Sequence, residues 1–234
     1  MSEESYRRFK GVWAEPEVAA AYRDDRFSRS RRWRWTDRRE QSILGGFLAG
    51  FEAGSRGLDV PCGTGRLAPL FRRAGLLYAG GDVSMSMLQL ARQREGHGIV
   101  LGADALELPF RPDAFDFLTA VRLLHRIRAH GIRVAMLREM ARVTRGPLIV
   151  TYYARWNLRG VQRWLKGKDP GLSLGRIMAD FRGADLRLRC RIPLRRWTQQ
   201  QWFFVLEKTP GDVSVVTRGG SGGAGSDQGV GEAV

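Results

Sequence analysis

Cysteine is scarce in this 234-residue chain, which holds only Cys62 and Cys190. Two such distant thiols offer no disulfide framework and suit a reducing compartment. The three histidines, His97, His125 and His130, are scattered. With the cysteines they give no metal-ligand spacing, so no metal is expected. Lysine is confined to Lys10, Lys166, Lys168 and Lys208, although the formal net charge is +15. The basicity is therefore almost all arginine. No run approaches the roughly eighteen apolar residues of a bilayer-spanning helix. The opening Met1–Glu4 is acidic and lacks the basic-then-apolar layout of a signal peptide, so a cytoplasmic location is expected. No internal repeat is visible.

What is present is organised around Leu58-Asp59-Val60-Pro61-Cys62-Gly63-Thr64-Gly65-Arg66-Leu67. An apolar run over 57–60 reads as a buried parallel strand, the turn as a Gly-rich loop, and 67–73 as an amphipathic helix. Glycines there let a ligand approach the backbone, and the helix start offers unpaired N–H groups. A second apolar run, 76–81, ends in Asp82, about 20 residues after the turn, where an acid can accept hydrogen bonds from ribose hydroxyls. A Ser-capped helix follows from Ser84, then a third run, 99–104, ending in Asp104. Strands are further predicted at 117–121, 148–153, 186–194 and 201–208, with helices at 40–51, 129–143 and 174–181. This alternation predicts an α/β, Rossmann-like doubly wound sheet of seven strands, mostly parallel with an antiparallel last strand.

These blocks carry a resemblance. Asp59–Gly65, Gly80–Ala91, Gly102–Asp116, Leu124-His125 and Leu137–Thr144 occur in the order and spacing of class I S-adenosylmethionine (SAM)-dependent methyltransferases. They resemble the type 11 methyltransferase-domain group, which includes quinone-biosynthesis C-methyltransferases. Three positions depart from the pattern. Pro61 replaces the first turn glycine, Arg126 the second histidine of a Leu-His-His block, and Arg145-Gly146-Pro147 the usual Pro-Gly-Gly.

The resemblance implies SAM as cofactor, with Asp59, Pro61, Gly63, Gly65, Asp82, Val83, Met85, Asp104 and Ala105 around it. Asp59 would hold the methionine ammonium, Asp82 the ribose, Met85 the adenine face, and Asp104 the adenine amino group. Arg66 could cap the helix or steer charge near the cofactor. His125, after the fourth strand, is a candidate general base, with a structural histidine as the competing reading. Tyr152 and Tyr153 close the fifth strand and must face opposite ways; Tyr152 stands as a candidate catalytic residue. Asp116 lies at the far end of its strand, which suggests a structural hydrogen-bonding role. Cys62 lies inside the turn and is not read as a nucleophile.

The expected organisation is a helical lead-in and possible lid over 1–54, including Tyr6, Trp13 and Tyr22. A methyltransferase domain follows over 55–210, then a disordered Gly/Ser-rich tail over 211–234. The expected acceptor is a small or lipid-like molecule methylated at oxygen or carbon. The arginines around 26–35 and 155–168 could favour an acidic acceptor or peripheral contact with an anionic membrane. Two rivals stand: an RNA methyltransferase gripping phosphates with those arginines, and a non-catalytic SAM-binding partner subunit. Oligomeric state is not legible.

Overall fold

The computed structural model describes residue 11 and residues 31–95, 98–155, 165–167, 171–195 and 200–210. The early lead-in, most of the 155–168 insert and the tail over 211–234 lie outside the described residues. The elements in order are α1 (Arg31–Leu48), β1 (Arg56–Asp59), α2 (Ala68–Arg73), β2 (Leu77–Asp82), α3 (Met85–Glu95) and β3 (Ile99–Gly102). Then come β4 (Phe117–Ala120), a 3-10 turn (Leu124–Arg126), α4 (His130–Val143), β5 (Leu148–Tyr153), α5 (Leu174–Gly183), β6 (Leu186–Pro193) and β7 (Gln201–Lys208). The strands form one seven-stranded sheet in the order β3-β2-β1-β4-β5-β7-β6. β7 runs antiparallel to both β5 and β6, wedged between them, while β1 to β5 pair in parallel.

Both faces of the sheet are covered, which is why its central strands read as continuous apolar runs. Strand alternation divides them between two cores. Leu148, Val150, Tyr152, Phe204 and Leu206 point to the α4–α5 side and meet Met136, Leu137, Met140, Ile177 and Phe181. Ile149, Phe203, Val205 and Phe117 point the other way and meet Leu44, Leu48, Phe71 and Leu88. Each fully buried side chain of this size contributes about 1.5–3 kcal/mol of burial free energy. Among the described residues no helix is long and apolar enough to cross a membrane.

Helix α1 starts earlier than the sequence suggests, at Arg31. Its arginine-rich first turns carry no Gly or Pro, so nothing interrupts them. Trp35 is 41% exposed, and the Arg195 guanidinium lies 5.3 Å from its ring centroid.

Two motif blocks explain each other. Glu139 Oε1 accepts the Leu108 N–H at 2.8 Å, and Arg142 donates to the carbonyls of Leu108 and Phe110 at 3.1 and 2.8 Å. Glu139 and Arg142 are themselves paired, which holds the Glu139 carboxyl below its usual value. Helix α4 thus pins the loop leading to β4. Asp116 does similar work at the end of the sheet away from the turn, accepting the Arg56 N–H at 2.7 Å and pairing with Arg145.

Replacing Arg142 with Ala should cost about 1–2 kcal/mol in urea unfolding, because two carbonyls and Glu139 lose their donor. Arg187→Ala removes an exposed pair with Glu207 and should change stability by less than about 0.5 kcal/mol. Equal effects would show that the loop contacts carry no special weight.

Candidate active site

The turn after β1 is shaped by two glycines with positive φ, Gly63 at 55° and Gly65 at 69°. At Gly65 a Cβ would also sit 3.1 Å from the Ala91 Cα, so this glycine lets the turn press against α3. Pro61 follows a cis peptide bond, and the Cys62 N–H donates to the Gly81 carbonyl at 2.8 Å. The turn is thereby tied to the end of β2.

Asp82, the last residue of β2, completes that tie. Its Oδ2 accepts the Gly63 N–H and its Oδ1 the Ser84 N–H, both at 2.9 Å. Each carboxylate oxygen has a second lone pair, so the group keeps acceptor capacity toward the cleft it lines. Burial pushes its pKa up, while the backbone donors pull the other way. Ser84 Oγ accepts the Met87 N–H at 3.3 Å and starts α3.

Asp59, the last residue of β1, is almost fully buried. Thr119 donates to its Oδ1 at 2.8 Å and Tyr78 to its Oδ2 at 3.4 Å. Burial nevertheless raises its pKa to about 7. Cys62 is buried, and desolvation beside Asp59 and Asp82 pushes its thiol far up, so it stays protonated.

One cleft joins these groups beyond the carboxyl ends of β1, β2 and β4. Asp59, Pro61, Gly63, Asp82 and Val83 line it, together with Arg66, Met87, Arg122, Leu123 and Arg126. A second, open concavity beside Val83 is lined by Gly102, Ala103, Asp104, Glu107 and Pro109. Asp104 closes its own turn there by accepting the Leu106 N–H at 3.0 Å.

Several expected positions fall elsewhere. Met85 is 55% exposed, and Met87 lines the cleft instead. Two residues turn a helix by about 200°, so the two methionines face nearly opposite ways. Gly65 and Ala105 line neither concavity; Gly65 packs on α3, and Ala105 is buried in the core with Leu108. Tyr152, expected near the reacting groups, is fully buried, and its hydroxyl donates to Asp180 Oδ2 at 3.0 Å. Asp180 also takes two hydrogen bonds from Arg133, at 2.6 and 2.9 Å, and pairs with His130 Nδ1. Strand parity puts Tyr153 on the opposite side, where its ring stacks on His125 at 3.7 Å between centroids. His125 lies in the 3-10 turn beside Arg126, half-buried and outside the lining of the main cleft. No group of His, Cys, Asp and Glu suited to a metal occurs among the described residues.

Residues 58–147 match the family described as "Methyltransferase domain". That span begins within β1 and holds the Asp82 strand, the cleft and α4. These residues form a methyltransferase domain. The tRNA (carboxymethyluridine(34)-5-O)-methyltransferase alkbh8 of Xenopus tropicalis is 29% identical over 155 residues, 64% of this chain and 24% of that protein. A demethylmenaquinone methyltransferase of Mycobacterium sp. (strain KMS) is 36% identical over 107 residues, 45% of this chain and 44% of that one. The chain therefore spans less than half the length of these relatives. Among solved structures, the magnesium protoporphyrin IX methyltransferase of Synechocystis PCC 6803 with bound SAH superposes with a TM-score of 0.62 at 15% identity. The match covers 88% of this chain and 95% of that one, and shows a shared fold.

Glu40, Arg122 and Met87 escaped the sequence reading. Met87 could have been found from the helical period. Glu40 and Arg122 sit 82 residues apart, and no local pattern links them.

The methyltransferase domain's buried Asp59 yields a stability prediction. Its folded pKa is about 7, against 3.8 for the free carboxyl, so between those values the folded state holds a proton that the unfolded state lacks. Stability from this group is present below about pH 4 and lost as pH rises through 7. Asp59→Asn should therefore gain stability relative to the parent between pH 5 and pH 8 in paired urea titrations. A pH-independent difference would contradict the assignment.

Proposed function

We propose that this chain transfers the methyl group of SAM to an oxygen or carbon of a small or lipid-like acceptor. The observation that carries the cofactor part is the pairing of Asp59 and Asp82 across the Gly63 turn in one cleft. These residues suit SAM. Asp59 offers a carboxylate to the methionine ammonium, Gly63 gives close backbone approach, and Asp82 has lone pairs left for two ribose hydroxyls. Val83 and Asp104, in the adjoining concavity, suit the adenine end.

SAM supplies an electrophilic methyl carbon on a sulfonium, whose leaving group needs no protonation. The chain's contribution is then orientation, with a base only where the acceptor carries a proton to lose. Asp59 and Asp82 fix the donor from the β1–β2 side. The acceptor approaches over the β4 side, where Leu123 gives an apolar wall and Arg126 a positive edge. His125, stacked on Tyr153 and next to Arg126 in the chain, is the candidate for proton removal. This wall suits a flat or chain-like acceptor, and the arginines favour one carrying negative charge.

An RNA acceptor is the second reading. It is supported by the tRNA methyltransferase relative, which aligns with 64% of this chain. The exposed Arg31, Arg34, Arg38 and Arg39 of α1 also suit phosphate contact.

Asp82→Ala should weaken S-adenosylhomocysteine binding more than tenfold by calorimetry, and His125→Ala should leave it nearly unchanged. Incubating the protein with methyl-labelled SAM and a fractionated cell extract tests the acceptor. Label in the low-mass or organic fraction is expected. Ribonuclease-sensitive label would replace this reading with the RNA one.

A further inference from the structure

Helix α1 lies outside the span matched to the methyltransferase family, yet its acids pair with two arginines that line the cleft. Glu40, in the middle of α1, is completely buried. An isolated buried carboxylate costs several kcal/mol, so its partners must compensate it. They come from three distant segments. Arg122, just beyond β4, donates through Nε to Glu40 Oε1 at 2.9 Å, with Nη2 at 2.8 Å from the same oxygen. Arg66, just beyond the glycine turn, places Nη2 2.9 Å from Glu40 Oε2. Gln201, the first residue of β7, donates to Oε1 at 2.6 Å. Asp37, one turn earlier on α1, pairs with the other terminal nitrogen of Arg66.

This cluster is aimed rather than merely buried. Arg66 and Arg122 both line the cleft that holds Asp59 and Asp82, and Arg126 lines it too. The Arg66 and Arg122 guanidiniums are both held by Glu40, and each has five N–H donors in a fixed fork. Arg122 also adopts a left-handed backbone, φ 64°, with its N–H donating to Thr151 Oγ1 at 2.7 Å. Non-glycine residues rarely adopt that conformation, so the surrounding contacts must hold the Arg122 backbone in it.

The charge pattern of the cleft also has a direction. Arg66 lies close enough to Asp59 for its positive charge to favour the ionised carboxylate. A carboxylate with guanidiniums beside it is the complement of an α-amino acid, whose ammonium and carboxylate sit on one carbon. We propose that Glu40 is a positioning residue, holding Arg66 and Arg122 as an anion-binding pair that receives the carboxylate of the cofactor's amino-acid moiety. On this account α1 is part of the cofactor site rather than packing alone. The inference rests on the reading of the cleft as a SAM site.

The test compares two ligands by calorimetry on the full chain: S-adenosylhomocysteine, and 5′-methylthioadenosine, which lacks the amino-acid moiety. Glu40→Gln should weaken S-adenosylhomocysteine at least tenfold while methylthioadenosine changes less than twofold. Glu40→Gln leaves the buried Arg122 undercompensated and could unfold, so Arg66→Gln serves as the second variant. Arg66→Gln leaves Glu40 its contacts with Arg122 and Gln201, so the fold should survive and show the same discrimination between the ligands. Equal losses for both ligands would overturn the inference in favour of a purely structural network, as would no loss for either. If the parent protein binds neither ligand, the SAM reading itself falls and takes this inference with it.

Discussion

The carboxylate of Asp82 stitches two parallel strands together at the point where a ligand can enter. One oxygen holds the Gly63 N–H of the turn after β1, and the other holds the Ser84 N–H that leads into α3. The positive φ at Gly63 and Gly65, the direction of α3 and the shape of the cleft all depend on that junction. The same group must remain able to accept from a ligand. Burial works against its charge, and the backbone donors oppose that shift. Structural junction and candidate ligand contact are thus one group.

The second organising feature is arginine. Exposed arginines on α1 and β6 are solvated, and their pairs with acids such as Glu207 contribute little. Buried arginines behave differently. Arg133 ties Asp180 to the carbonyls of Ile127 and Arg128, fixing the loop after the His125 turn. Arg122 and Arg66 tie α1 to the cleft through Glu40. Replacing either side of such a pair strands a buried charge, which is why these few arginines matter more than the overall excess of +15.

The fold was largely legible because its signals are local. Strand runs bounded by turns gave β5 and β7 their observed limits, and the spacing of five motif blocks carried the family. The doubly wound sheet with β7 antiparallel follows from the same pattern. What escaped depends on orientation or on long separation in sequence. The choice between Tyr152 and Tyr153 is one of strand parity, decided by Asp180 on a later helix. Met85 and Met87 differ by two helical positions, and only the angle of α3 shows which faces the cleft. Glu40 meets Arg122 and Gln201 only once the chain has folded. Ala105 follows Asp104 in sequence, but the turn closed by Asp104 sends it into the core.

The central claim is that the Gly63 turn, Asp59 and Asp82 together form a SAM site. A crystal structure grown with saturating S-adenosylhomocysteine tests it most directly. The account predicts ligand density in the cleft, with the ribose hydroxyls on Asp82 and the amino-acid end between Asp59 and Arg66. Density at another surface, or an empty cleft at saturating ligand, would contradict it.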